Sequence, residues 1–306
     1  MPSFVVTATD REWFGRCHRA WDLTARGRRR LEPVDGEPAQ PPLPRAMAAA
    51  LAVHYFPGMW AWNRSIVDPL VVAAYEREGG PPDGRRLLDA FRTWSARVDR
   101  FTPVRVEADV EVPVPDPLQP GDNLSTTAGQ RVLYQDRIRL VLVDDQDERF
   151  WIGHHRVVHD FAHPDELALD ERLLTACWAW EQVELHSPVV GVHHTELRLD
   201  GELRRTVVPY TTTEKRNAAA RLGAAVRAML DPAVSLEPTP SWTHCGWCAF
   251  REPCLRWNRG EDPSGLLAER YRQRPPDLLE EGRLGGTSWG MGRGAAPPHF
   301  GRRGDG

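Results

Sequence analysis

The sequence predicts an α/β fold with the element order helix, three antiparallel strands, helix, two strands, helix. Three observations predict it. Residues 104–112 (VRVEADVEV) alternate apolar and polar without a break, which is the period of a half-buried strand. Residues 131–143 and 149–158 have strand character and flank Asp144-Asp145-Gln146-Asp147, an acidic tight turn that makes them a hairpin. Residues 212–230 carry the spacing of a long amphipathic helix capped by a threonine.

In chain order, residues 1–44 form an N-terminal segment. A β-like lead at Phe4-Val5-Val6 is followed by a helix that Thr9 or Asp10 caps, with Glu12 in its first turn and Cys17 inside it. The helix runs into Arg26, Arg28, Arg29 and Arg30, either a solvated face or a phosphate contact. Residues 31–44 are proline-rich and acidic and read as a linker. The core spans residues 45–230. It opens with a helical pattern over 45–75, broken at Pro57-Gly58, that carries His54, and continues with a helix at 85–100. After the three strands, residues 170–182 are helical. Trp178 and Trp180 are core candidates there, and Cys177 reads as a small buried hydrophobe. Strands at 189–199 and 203–210 precede the long helix. Residues 231–262 form a cysteine segment, and 263–306 a Gly/Pro/Arg-rich tail, largely disordered from about residue 283.

The chain has 306 residues, 41% hydrophobic, with a formal net charge of −4. That charge does not advertise a nucleic-acid binder, although a local basic groove suffices for one. Lys215 is the single lysine, so nearly all positive charge is arginine. No apolar run approaches the ~20 residues of a membrane span, and no basic-then-apolar leader opens the sequence. The expectation is a cytoplasmic protein with no membrane partner.

Cys245, Cys248 and Cys254 are spaced C-x2-C-x5-C, and Cys17 lies far upstream. Thiolates packed this closely are ligands for iron or zinc. A disulfide framework is disfavoured by the odd count of five cysteines in a long chain. Zinc can use the same thiols with His244 or His18 as a fourth ligand. Trp242 and Trp247, which flank the cysteines, read as shields of such a centre; base stacking is the alternative. One N-terminal cysteine with a C-terminal C-x2-C-x5-C resembles the iron–sulfur clasp of RecB-like PD-(D/E)XK nucleases, the type found in AddB subunits and CRISPR-associated exonucleases. The resemblance implies an α/β/α restriction-endonuclease-like core. It also implies a 4Fe–4S cluster on Cys17, Cys245, Cys248 and Cys254 that joins the two ends of the chain.

The same resemblance places an active site on the hairpin, where two acids bind Mg²⁺ or Mn²⁺ and a lysine assists. This sequence departs from that pattern. In Trp151-Ile152-Gly153-His154-His155-Arg156, His154 stands at the acid and Arg156 at the lysine. In Asp136-Arg137-Ile138-Arg139, Arg139 replaces the other acid, and Asp136 reaches a metal only in a shifted register. Arg172 and Ala176 stand at the DNA-contacting helix positions. Arginine stays protonated and cannot exchange a proton with water at neutral pH. The expectation is therefore DNA binding, to single strands or ends, with hydrolysis lost or weakened. Arg139, His155, Arg156 and Arg172 then contact DNA, in company with a helicase or another repair or defence protein. A second reading keeps a Mg²⁺- or Mn²⁺-dependent single-strand exonuclease, with Asp136, His154 and Glu107 on the metal, His54 assisting and Arg156 clamping phosphate. A third is an iron–sulfur redox-sensing regulator.

Overall fold

The computed structural model describes residues 3–34 and 42–274. The tail expected to be disordered beyond about residue 283 lies outside the described residues, as does the stretch at 35–41. Residues through 273 form one compact unit. In chain order its elements are β1 (Phe4–Thr7), α1 (Ala8–Arg16), α2 (His18–Thr24), β2 (Leu31–Pro33), α3 (Pro42–His54), α4 (Arg64–Arg77) and α5 (Pro82–Val98). Then come β3 (Phe101–Pro113), β4 (Val132–Asp144), β5 (Phe150–Val158), α6 (Pro164–Ala168), α7 (Glu171–Val183), β6 (Val189–Arg198), β7 (Leu203–Pro209) and α8 (Thr212–Leu230). The chain closes with α9 (Trp242–Cys245), α10 (Arg251–Asn258), α11 (Ser264–Arg270) and β8 (Tyr271–Gln273).

The sheet is mixed. β3, β4 and β5 are antiparallel neighbours, β6 runs parallel to β5, and β7 returns antiparallel to β6. β1 pairs parallel with β4. Two strands share one edge of β4: β1 lies against residues 132–135 and β5 against residues 140–143. Residues 136–139 of β4 lie in the gap between them, and this gap positions the site.

Two apolar layers sandwich the sheet. One holds Phe14 and Trp21 from the N-terminal helices, Leu173 and Trp180 from α7, and Leu222 and Val226 from α8. The other holds Met47 and Leu51 of α3, Val71 of α4 and Leu88 and Phe91 of α5. Side chains of β4 change layer by parity along the strand. Tyr134 and Ile138 face the first layer, whereas Leu140 and Leu142 face the second and Val141 the first. The switch falls at Arg139, opposite Glu107, whose φ of 50° is outside the range of an ordinary strand residue.

Several sequence expectations are revised. Thr7 caps α1, accepting from the Asp10 N–H at 3.0 Å. Cys17 is an extended junction between α1 and α2 rather than a helix interior. Residues 31–33 are a strand paired with β8, and Pro42 to Pro44 begin α3, so the expected linker is structured at both ends. Leu266 and Leu267 of α11 are buried, which joins residues 264–273 to the main body instead of the tail. Arg28 and Arg29 both pair with Asp22, which accounts for part of the upstream arginine run. Cys177 and Trp180 are buried as expected.

Candidate functional site

A cleft of about 960 Å³ opens over the gap in β4. Its floor is Asp136 to Leu140 of β4 and Gly153 to Val157 of β5. Its walls are the face of α1 at Ala8, Arg11, Glu12 and Gly15, the start of α7, and α3. Six of the residues expected from the sequence line it together: Asp136, Arg139, His154, His155, Arg156 and Arg172. Two do not. Glu107 lies across β4, where it accepts from Arg139 Nη1 at 2.7 Å. His54 faces a separate pocket of about 610 Å³. There its Nε2 lies 3.2 Å from Ser95 Oγ, whose own proton goes to the Arg92 carbonyl, so the imidazole donates. Burial lowers the His54 pKa to about 3.

Asp136 is committed locally. Asp136 Oδ1 accepts from the Arg137 N–H at 2.8 Å. Its Oδ2 accepts from the Tyr134 hydroxyl at 3.4 Å. Burial pushes the Asp136 carboxyl above the usual carboxylate range, against the pull of Arg172.

His154 is committed too. Its Nδ1 lies 3.0 Å from Nδ1 of His194 on β6, and the two ring planes differ by 13°. Near-coplanar imidazoles that meet nitrogen to nitrogen share a proton in the ring plane. His194 is 2% exposed, and its Nε2 is 3.9 Å from Oε1 of Glu196, itself 1% exposed. Glu196 accepts from the Ala162 N–H at 2.8 Å and from Arg204 at 2.6 Å. Burial, then His194, holds the His154 pKa well below its ordinary value of 6.5. His155 points to the opposite face of β5, where it stacks on Tyr55 at 5.2 Å. The Tyr55 hydroxyl donates to Asp99 at 3.0 Å, and Asp99 pairs with Arg205 at 2.7 Å. Burial, then Arg205, keeps His155 neutral.

Arginines supply the remaining polarity. Six line the cleft (Arg11, Arg137, Arg139, Arg156, Arg172 and Arg221) against the four carboxylates Glu12, Asp136, Asp170 and Glu171. Arg11 and Arg221 both pair with Glu171, and Arg139 with Glu107. Arg156 is exposed and makes no ion pair among the described residues. Arg137 pairs with Asp109 at 2.8 Å and Arg172 with Glu12 at 3.9 Å, so most of the cleft's positive charge is met within the chain. Lys215 is remote from the cleft, buried at the base of α8, where it pairs with Glu181 and donates to the Val189 carbonyl at 2.8 Å.

Sequence reasoning did not single out His194, Glu196 or Arg204. All three lie in strands that read as ordinary alternation. The dyad His193-His194 beside His154-His155 in register was the available signal.

Cys17 and Cys248 pack in one cluster at the far end of α1. Burial pushes the Cys248 thiol up, and the charges of Cys17, Cys245 and Cys254 push it further, so all three are within electrostatic reach of Cys248. All four are free thiols. The Ser241 N–H donates to Cys245 Sγ at 3.3 Å and Arg19 to Cys254 Sγ at 3.5 Å. His244 and His18 each place one ring nitrogen on a backbone carbonyl, at 2.8 and 2.9 Å. The candidate donor set is the four thiols, and each of the two imidazoles keeps a second ring nitrogen. It suits a thiolate-ligated group, and Phe250 and Leu267 pack beside it. Among the described residues no three His, Cys, Asp or Glu side chains converge closely enough to hold a single metal ion, in the cleft or elsewhere. Trp247 does not shield the thiols, being 92% exposed. Among the described residues no helix is long and apolar enough to cross a membrane.

The sequence matches no protein-family model and no curated protein. Among solved structures the chain is similar to one described as SSO0001, with 13% identity and a TM-score of 0.36, over 67% of this chain and 84% of that one. An overlap that loose carries no argument. What stands is an α/β protein with a mixed sheet, an arginine-lined cleft and a group of four thiols at one end of it.

Proposed function

We propose that this chain is an iron–sulfur protein with a RecB-like PD-(D/E)XK core that binds DNA in its cleft, with hydrolysis lost or greatly weakened. The cleft itself carries the reading. Asp136 is spent on the Arg137 N–H and the Tyr134 hydroxyl, and His154 on His194, so neither presents a free anionic ligand to a hard divalent ion. Arg156 is left to meet phosphate, with Arg172, 3.9 Å from Glu12, in the same cleft. Arginine offers a bidentate donor fork that binds a phosphodiester without activating water. His154, held neutral, adds no repulsion to an incoming backbone and no charge to attract a metal.

Cys17, Cys245, Cys248 and Cys254 would hold the 4Fe–4S cluster. Four cysteines suffice for it without a histidine ligand. Bound there, the cluster supplies a covalent tie between the α1–α2 junction and the C-terminal segment. The chain's own residues prepare the tie: Arg19 and Ser241 donate to two of the sulfurs, and Phe250 excludes water.

The test uses anaerobically purified full-length protein with labelled single- and double-stranded DNA. Binding without cleavage in Mg²⁺ or Mn²⁺ is expected. Metal-dependent cleavage that an Arg156→Ala, His154→Ala double variant abolishes would replace this reading with an active exonuclease.

A further inference from the structure

The fold leaves one large aromatic side chain without a structural task. Trp247, at 92% exposure, is the most exposed large apolar side chain among the described residues. Its indole makes no ring contact or hydrogen bond there. Trp21, Trp151 and Trp180, in contrast, are buried in the two layers. An indole fully in water forgoes the large stabilisation that its burial brings, so its exposure calls for a partner.

The backbone that carries it is held rigidly. Trp247 lies between Cys245 and Cys248. After it, Phe250 is buried and stacks on Tyr271 at 5.4 Å, and the Tyr271 hydroxyl donates to the Ala249 carbonyl at 2.7 Å. An aromatic on a pinned turn loses little conformational freedom on binding.

Two arginines lie on the chain that follows Trp247. Arg251 and Arg259 are exposed and make no ion pair among the described residues. The α1 face that walls the cleft ends at Gly15. Cys17 follows two residues on, in a buried cluster against which Cys248, the residue next to Trp247, packs. The indole therefore stands beyond the Gly15 end of the cleft.

We propose that Trp247 is a stacking platform for an unpaired base of a single strand that leaves the cleft past Gly15, with Arg251 and Arg259 against its phosphates. Stacking suits a single strand, whose bases expose their faces. A duplex hides those faces, so it gains only the charge contacts. The inference rests on the DNA-binding reading above.

The experiment measures affinity by fluorescence anisotropy for the anaerobic full-length protein, Trp247→Ala and Trp247→Phe. The probes are a labelled single strand, the same strand with abasic sites, and a duplex. Because the indole is exposed, all three proteins should melt alike. Trp247→Ala should weaken binding of the intact single strand about tenfold, Trp247→Phe should keep most of that affinity, and neither should change duplex binding. On abasic DNA, wild type and Trp247→Ala should bind equally, which isolates the ring–base term. Wild-type binding that Trp247→Ala leaves unchanged, or weakens equally on duplex or abasic DNA, overturns the stacking role alone. A wild-type protein that binds none of the probes overturns both the inference and the reading beneath it.

Discussion

At one end of α1 four thiols crowd together, and each raises the cost of ionising Cys248. A hydrogen bond from the Phe250 backbone offsets them at Cys248 itself. Along the cleft wall at the other end, the polar groups have largely found partners inside the chain: Asp136 with Arg137, His154 with His194, Arg139 with Glu107. Like charges gathered together favour a cationic ligand, whereas groups already hydrogen-bonded to one another give up little to a newcomer. The contrast teaches that polar residues in a pocket do not by themselves make a metal site. What counts is whether their lone pairs are unspent.

The largest effect should come from the thiols. Serine at any one of Cys17, Cys245, Cys248 or Cys254 should abolish the visible absorbance of anaerobic protein and expose residues 241–273 to limited proteolysis. Cys177→Ala, buried elsewhere, should keep the absorbance. Colour that survives all four single substitutions would dissolve the contrast.

Acid comes next. Burial holds five histidines (His54, His154, His155, His193 and His194) below the ordinary value of 6.5, His54 to about 3 and His193 to about 4. The unfolded chain binds their protons first, so they stabilise the fold above pH 6.5, and that stability drains away as pH falls from there toward 3. Asp99 and Asp136, whose pKa values burial raises, work in the opposite sense but are fewer. The melting temperature should be flat above pH 7 and decline steadily below about 6.5. A flat profile down to pH 4.5 would mean that these imidazoles are not buried as described.

Glu196→Ala should cost about 3–5 kcal/mol in a denaturant titration, because Arg204 and the Ala162 N–H lose a buried acceptor together. The smallest change in stability, and the clearest in function, belongs to Arg156→Ala. The melting temperature should hold, DNA affinity should fall several-fold, and the log–log salt slope should shrink by about 1. An unchanged slope would remove Arg156 from the phosphate contacts.

Much of the fold was legible because its elements obey local rules. The alternation at 104–112, the Asx turn in which Asp144 Oδ1 accepts from the Gln146 N–H at 2.8 Å, and the Thr211 cap of α8 each write one element into a few residues. The cleft was legible only in part. Asp136, His154 and Arg156 were found, but the partner that occupies His154 comes from β6 lying parallel to β5. That pairing has no local signature. The polar look of His154-His155-Arg156 suggested an open active-site strand, whereas His194 covers one face and Tyr55 the other. His54, on the expected helix, turned toward Ser95 because the packing of α3 on α5 set its direction. The left-handed backbone at Glu107 had no glycine to announce it.

The pairing of β2 with β8 joins residues 31–33 to residues 271–273 and so fixes an order of events during synthesis. β2 leaves the ribosome early, and β8 arrives only when all of the main sheet has been translated. The cleft can thus be complete while the two ends are still apart, and their closure is the last step of maturation. A chain cut short before Cys254 would hold a formed sheet and an open end, a state that quality-control proteases can tell from the finished protein.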